Sequence, residues 1–182
     1  LNAFYRFSFN KEDVRRNTVG YWGYDYAGTP TLLNDYNNYC NKWSKFWDEN
    51  HMQGYVSGSN TGINFPYMRY ADVLLMFAEA ENEANGPTAA AYDAVNQLRV
   101  RAGLDNLSGL SKETFRQAIQ KEWTLETTHE RIYRFNLVRW GTYLTVMKEY
   151  FQKNFPEKVK NVTEERLYFP CPEHDSLINP NL

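Results

Sequence analysis

The residues best suited to chemistry lie early in the chain, where Trp22, Tyr24, Tyr26, Tyr36, Tyr39, Trp43 and Trp47 are seated among Asn34, Asp35, Asn37, Asn38 and Asn41. A pyranose ring offers a flat face of C–H groups and a rim of hydroxyls. A protein that reads sugars therefore needs aromatic faces beside side chains that both donate and accept hydrogen bonds; Asn does both, and Asp accepts strongly. The pattern points to a saccharide-binding surface, with Trp22, Tyr24, Tyr26, Asn38, Trp43 and Trp47 as the ligand-binding candidates. Trp43 and Trp47 are four apart, which sets both rings on one side if that stretch is helical. The competing reading of the same rings is burial beneath a loop-rich surface, the usual fate of large aromatics.

The remaining candidates for chemistry lead away from catalysis. Glu122 and Glu126 are one helical turn apart, but glycoside hydrolysis needs two carboxylates roughly 5–10 Å apart on either side of the scissile bond. Arg101, Lys121, Arg131 and Arg139 nearby favour salt bridges instead. Glu126-Thr127-Thr128-His129 has the Glu-x-x-His spacing of di-iron bundles, which require a second such motif. His51, His129 and His174 are the only histidines, so no second copy exists, and His129-Glu130-Arg131-Ile132-Tyr133 lacks the second His of the HExxH zinc pattern. Gly58-Ser59-Asn60-Thr61-Gly62 has neither the lysine nor the helix of a phosphate-binding loop. Cys40 and Cys171 show no CxxC or Cys/His spacing. No metal of function and no cofactor is expected, although the oxygens of the Asn/Asp-rich loops suit a structural calcium. Arg69, Asp72, Glu79, Arg99 and Arg101 read as ion pairs between helices.

The elements that must position these residues divide the chain by texture. Half of all aromatics and three of the five tryptophans fall in residues 1–65, punctuated by turn formers such as Gly28-Thr29-Pro30, so this part reads as irregular. From Phe65 onward the period becomes helical. Tyr67, Tyr70, Ala71, Leu74, Leu75 and Ala78 form one stripe, stopped at Asn85-Gly86-Pro87. Thr88 caps a second helix whose Ala91, Val95, Leu98 and Ala102 run to Gly103, completing a hairpin. Ser111 caps a third helix with Phe115, Ala118, Ile119 and Trp123, and a fourth is expected to hold Phe135, Val138, Leu144 and Met147. The tail from Leu167 is punctuated by proline and extended. With 182 residues, 42% of them apolar, the chain has material for one packed domain. A net charge of −2 leaves no positive excess to collect phosphates, so nucleic acid is not an expected partner. No run approaches the ~18 apolar residues of a membrane span, and the opening LNAFYRFSFNKED lacks the order of a signal peptide.

Several motifs carry a resemblance. FPYMRYADVLLMFAEAENE, AVNQLRVRAGL, AIQKEWTLE, RFNLVRWG and the ending LYFPCPEHDSLINPNL, in this order, resemble the C-terminal part of the SusD/RagB family over residues 62–182, and DVRR at 13–16 resembles the family motif that precedes a variable region. The resemblance implies an all-α, TPR-like fold of helical hairpins with long irregular aromatic-rich loops. Within one C-terminal domain, 1–65 would be the variable region, 66–155 two helical hairpins and 156–182 the extended tail. It further implies a non-catalytic protein that captures an oligosaccharide or polysaccharide at the bacterial surface and hands it to a SusC-like TonB-dependent transporter. Such proteins are surface-exposed lipoproteins of the outer membrane, so the lipid anchor would lie outside this chain, a C-terminal piece of a longer protein. The family's usual Glu-Arg pair stands here as Glu122-Trp123, its Glu-Gly as Glu130-Arg131, and a customary Arg and Asp as Tyr133 and Asn136. These departures bear on the ion pairs of the second hairpin. Without the resemblance, the helical half reads as a TPR-like module for protein interaction with no sugar binding.

Overall fold

A computed structural model describes residues 9–10, 12–15, 66–128, 130–170, 172 and 178–179, together with the backbone of 22–24 and 30–32. The chain divides into two compact units, Leu1–Glu130 and Arg131–Leu182.

In the first unit, helix α1 spans Tyr70–Asn85. Asp72 in its first turn accepts the Arg69 backbone N–H at 2.7 Å, which satisfies a donor the helix cannot and puts negative charge at its positive end. Gly86, with φ of 86°, ends it where the Asn-Gly-Pro run predicts. Helix α2, Ala89–Arg101, is capped by Thr88, whose hydroxyl accepts from the Ala91 N–H at 3.3 Å. Gly103 then takes a φ of 74°, and Leu104 N–H reaches back to Arg99 O at 2.9 Å. Helix α3, Lys112–Glu126, is capped by Ser111, whose hydroxyl accepts from Thr114 N–H at 3.2 Å.

Helix α1 packs against both α2 and α3. The shared core is Ala71, Leu74, Leu75 and Ala78 of α1, Ala91, Val95 and Leu98 of α2 with Ala102 beyond it, and Phe115, Ile119 and Trp123 of α3. Tyr92 and Phe115 rings meet at 4.3 Å. Side chains of α2 also hold the turn into α3: Asn96 accepts from Leu107 N–H at 2.8 Å and donates to its carbonyl at 3.1 Å, and Tyr92 Oη accepts from Leu110 N–H at 2.7 Å.

Three expectations change. Tyr67 and Tyr70, counted into the buried stripe, are 97% and 70% exposed. The helix begins at Tyr70, so Tyr67 lies outside the 3.6-residue period and Tyr70 sits on the free first turn. The fourth helix is two: α4, Tyr133–Arg139, and α5, Tyr143–Asn154, separated at Gly141, whose φ of 69° no continuous helix accommodates. Finally, the stretch read as irregular contains strands β1, Trp22–Tyr24, and β2, Pro30–Leu32, which pair antiparallel with Trp22 opposite Leu32. Three residues are too few for alternation to show in a sequence, and Pro30 occupies a strand's first position, where a missing N–H is tolerated.

In the second unit, Arg134 of α4 gathers the surroundings. Its guanidinium donates to Tyr143 Oη at 2.6 Å and to the carbonyls of Arg166 and Leu167 at 2.7 and 3.2 Å, and it lies 4.8 Å from the Phe169 ring centroid. The chain after α5 forms two 3₁₀ turns, Pro156–Asn161 and Glu164–Leu167, within the part expected to be mostly irregular.

Candidate functional site

Of the six predicted sugar-binding residues, Trp22 and Tyr24 lie on β1. Tyr26, Asn38, Trp43 and Trp47 lie outside the described residues. On the C-terminal side of the aromatic-rich stretch, the exposed rings of Tyr67 and Tyr70 add two faces that the sequence pattern had counted as core. No local signal separates them from the core, since both fit the i, i+3, i+4 spacing of the stripe.

The stretch is bracketed by an ion-pair network built on α3. Glu122 and Glu126, one turn apart and only 1% and 3% exposed, face inward together. Arg15 Nη1 donates to Glu122 at 2.6 Å and to Glu126 at 3.0 Å, while its Nε and Nη2 grip Asp13 at 2.9 and 2.7 Å. Arg69 Nη1 reaches Glu126 at 2.9 Å and its Nη2 pairs with Glu130 at 2.8 Å. From α2, Arg99 approaches Glu122 at 3.4 Å and Arg101 approaches Glu126 at 2.5 Å. The segment carrying Arg15 is itself docked: Phe9 packs with Leu125, and Val14 N–H donates to Ala102 O at 3.1 Å.

These contacts decide what Glu126 can do. Burial would push its carboxyl up, but hydrogen bonds from Arg101 and Arg69 and the charges of Arg101 and Arg15 outweigh burial and hold it at about 2. A carboxylate so acidic does not donate a proton near neutral pH, so Glu126 is no general acid. The salt-bridge reading of this pair stands, with Arg101 as predicted and with Arg15, Arg69 and Arg99 joining it. Burial likewise opposes the charge on Arg15, and the hydrogen bond to Asp13 with the charges of Glu122 and Asp13 overcomes it, raising its pKa above the usual arginine value.

The departures noted in the sequence also find their places. Trp123 is buried and donates its indole N–H to Glu79 at 3.1 Å. Arg131 takes a φ of 64°, a left-handed conformation suited to the family's glycine. Asn136 is buried and accepts from Arg139 Nε at 2.9 Å.

Elsewhere an open depression of about 670 Å³ lies on α2, lined by Asp93, Asn96, Gln97, Val100 and Asn106. It offers polar groups but no aromatic face. Among the described residues no three His, Cys, Asp or Glu side chains are grouped as a metal site requires.

Helical hairpins, an aromatic-rich stretch bracketed by ion-paired arginines, and a tail gathered on an arginine define a TPR-like, all-α class of protein. The chain belongs to the SusD family, whose sequence model matches residues 3–178. It is 37% identical to SusD-like protein P25 of Formosa agariphila over 127 residues, which is 68% of this chain and 24% of that protein. SusD-like protein P2 of the same organism is 33% identical over 135 residues, 69% of this chain and 26% of that one. A crystal structure of a SusD homologue from Bacteroides thetaiotaomicron superposes with a TM-score of 0.68 at 26% identity, covering 99% of this chain and 41% of its own. The chain thus spans about a quarter of the length of its curated relatives.

Proposed function

We propose that the chain is part of a non-catalytic glycan-capturing protein of the bacterial cell surface, an outer-membrane lipoprotein that passes oligosaccharide or polysaccharide to a SusC-like TonB-dependent transporter. The observation that carries this reading is the family match across residues 3–178, which encloses a stretch uniquely rich in Trp, Tyr and Asn. The sugar face stacks on Trp22, Tyr24, Tyr26, Trp43 and Trp47, while Asn38 and its neighbours meet the hydroxyl rim. Tyr67 and Tyr70, exposed at the start of α1, offer two further rings. Stacking contributes on the order of 0.5–1.5 kcal/mol per ring beyond area burial, so a few rings give roughly micromolar to millimolar affinity, which suits a receptor that must release its cargo.

The test is tryptophan fluorescence titrated with a panel of oligosaccharides, on the parent and on Trp22→Ala, Trp43→Ala and Trp47→Ala. Saturable quenching, weakened several-fold in at least one variant whose helical circular dichroism is unchanged, is the expected result. Three variants that all bind like the parent, or that all unfold, would refute the platform. Reducing sugar released by the purified protein would refute the non-catalytic reading.

A second reading, a helical module that binds a peptide, draws on the exposed outer side of α1, where Tyr70, Val73, Met76 and Phe77 face solvent. Peptide-dependent quenching with no response to any sugar would favour it.

A further inference from the structure

Two short described segments flank residues 16–65, and each supplies an arginine to α3. Each arginine is first set by a carboxylate other than Glu126. Asp13 takes Nε and Nη2 of Arg15 at 2.9 and 2.7 Å, and Glu130 takes Nε and Nη2 of Arg69 at 3.3 and 3.1 Å. Nη1 of Arg69 is aimed at Glu126, and Nη1 of Arg15 is shared between Glu126 and Glu122, the latter at 2.6 Å. Arg15 Nη1 donates to Oε2 at 3.0 Å and Arg69 Nη1 to Oε1 at 2.9 Å. Arg69 Nη2 also donates to the Glu126 carbonyl at 3.3 Å. The two stems of the aromatic-rich stretch therefore meet on the two oxygens of one buried carboxylate.

We propose that Glu126 is a positioning residue for glycan binding: by accepting from both stems it fixes the base of residues 16–68 on α3. The inference rests on the glycan-binding reading above. Without a fixed base, a chain of this length has a large set of end separations, and a ligand must remove that freedom as it binds. A fixed base removes it in advance, and preorganisation raises affinity by cutting that cost. The charges require the same residue. Two guanidinium groups brought to one place repel each other unless a carboxylate lies between them, so loss of Glu126 loosens both stems at once, while Arg15 keeps Asp13 and Glu122 and Arg69 keeps Glu130. Arg101 provides the internal control. It pairs with the same Oε2 at 2.5 Å but comes from α2, so removing it weakens the network around Glu126 without freeing a stem.

The experiment compares the 182-residue chain with Glu126→Gln, Arg69→Gln and Arg101→Gln at a temperature where circular dichroism shows each folded. Hydrogen–deuterium exchange reads residues 16–65 and the helices separately, and oligosaccharide quenching of tryptophan reads affinity. Glu126→Gln and Arg69→Gln should speed exchange across 16–65 while α1–α3 stay protected, and should weaken binding about tenfold. Arg101→Gln should leave both near the parent. Should Glu126→Gln fail to fold, Arg69→Gln carries the comparison, because that side chain is 20% exposed and its loss leaves Glu126 paired with Arg15 and Arg101. Equal effects of Arg69→Gln and Arg101→Gln on 16–65, no effect of any variant, or a parent already exchanging there like an unfolded chain would overturn the proposal. Faster exchange with unchanged affinity would overturn the positioning role. A parent that binds no oligosaccharide would refute the glycan reading, and the exchange comparison would still decide whether Glu126 fixes the stems.

Discussion

At the scale of single residues, Glu126 concentrates the most consequence in the fewest atoms. Its carboxyl ordinarily titrates near 4.5 and is held at about 2 in the fold. A depressed carboxylate contributes stability that is present above the unfolded value and is lost as pH falls through the folded one. Stability should therefore hold steady from neutral pH to about 5 and drop between roughly 4.5 and 2, by an amount on the order of 3 kcal/mol if this group acted alone, with the thermal midpoint falling over the same range. In Glu126→Gln that part of the acid limb should flatten, with lower stability at neutral pH; a limb of unchanged depth would show that other carboxylates govern acid unfolding. Arg131 calls for the opposite test. A left-handed backbone costs a residue with a side chain roughly 1–2 kcal/mol, and glycine escapes that cost. With its φ of 64°, Arg131→Gly should stabilise the protein by about 1 kcal/mol in urea unfolding. A loss of stability would mean that the arginine side chain contributes more than its backbone costs.

At the scale of elements, the caps were legible and the breaks were not. Thr88 and Ser111 announce their helices because a hydroxyl before an apolar stripe has one evident use, and both accept the backbone N–H expected of them. The stripe of Ala91, Val95, Leu98 and Ala102 is buried as its spacing requires. In contrast, Trp140-Gly141-Thr142 looked like the interior of one helix, because a single glycine is tolerated there and the apolar period runs on through it. What ends α4 is local: Gly141 N–H donates to Val138 O and Thr142 N–H to Leu137 O, contacts that need a positive φ at Gly141. Nothing lies within 4 Å of a Cβ added at that glycine, so Gly141→Ala tests the backbone alone. It should cost about 1 kcal/mol of stability and no packing, read as a shift of the denaturant midpoint without a change of slope. A neutral result would mean that α4 and α5 can merge at no cost. The candidate site was half legible for a related reason. Salt bridges at Glu122 and Glu126 follow from their helical spacing, and Arg69, Arg99 and Arg101 pair between helices as read, but Arg15 is distant in sequence, and no local pattern reports a partner that only the fold supplies.

At the scale of the whole molecule, the chain spans about a quarter of its curated relatives and 41% of the solved homologue. Its own outer surface bears on what the remainder of a longer protein would do. On α1, Tyr70, Val73 and Phe77 recur at the spacing of one helical face, and all three are exposed along with Met76 and Tyr67. A run of exposed apolar side chains on a helix marks a surface that meets something. On the glycan-binding reading proposed above, polar contacts from the remainder of a longer protein would add to those of the aromatic stretch, and each tenfold in affinity requires about 1.4 kcal/mol. One or two additional hydrogen bonds to hydroxyls, at about 1 kcal/mol each, would supply it. A longer protein that carries this chain should therefore bind the same oligosaccharide about tenfold or more tightly than the 182 residues do alone, with the gain in a slower off-rate, since a better-held sugar leaves later. Calorimetric titration of both proteins with one oligosaccharide, at matched salt and temperature, measures the ratio. Equal affinities would place every energetically important contact within this chain, and the exposed face of α1 would then need another occupant.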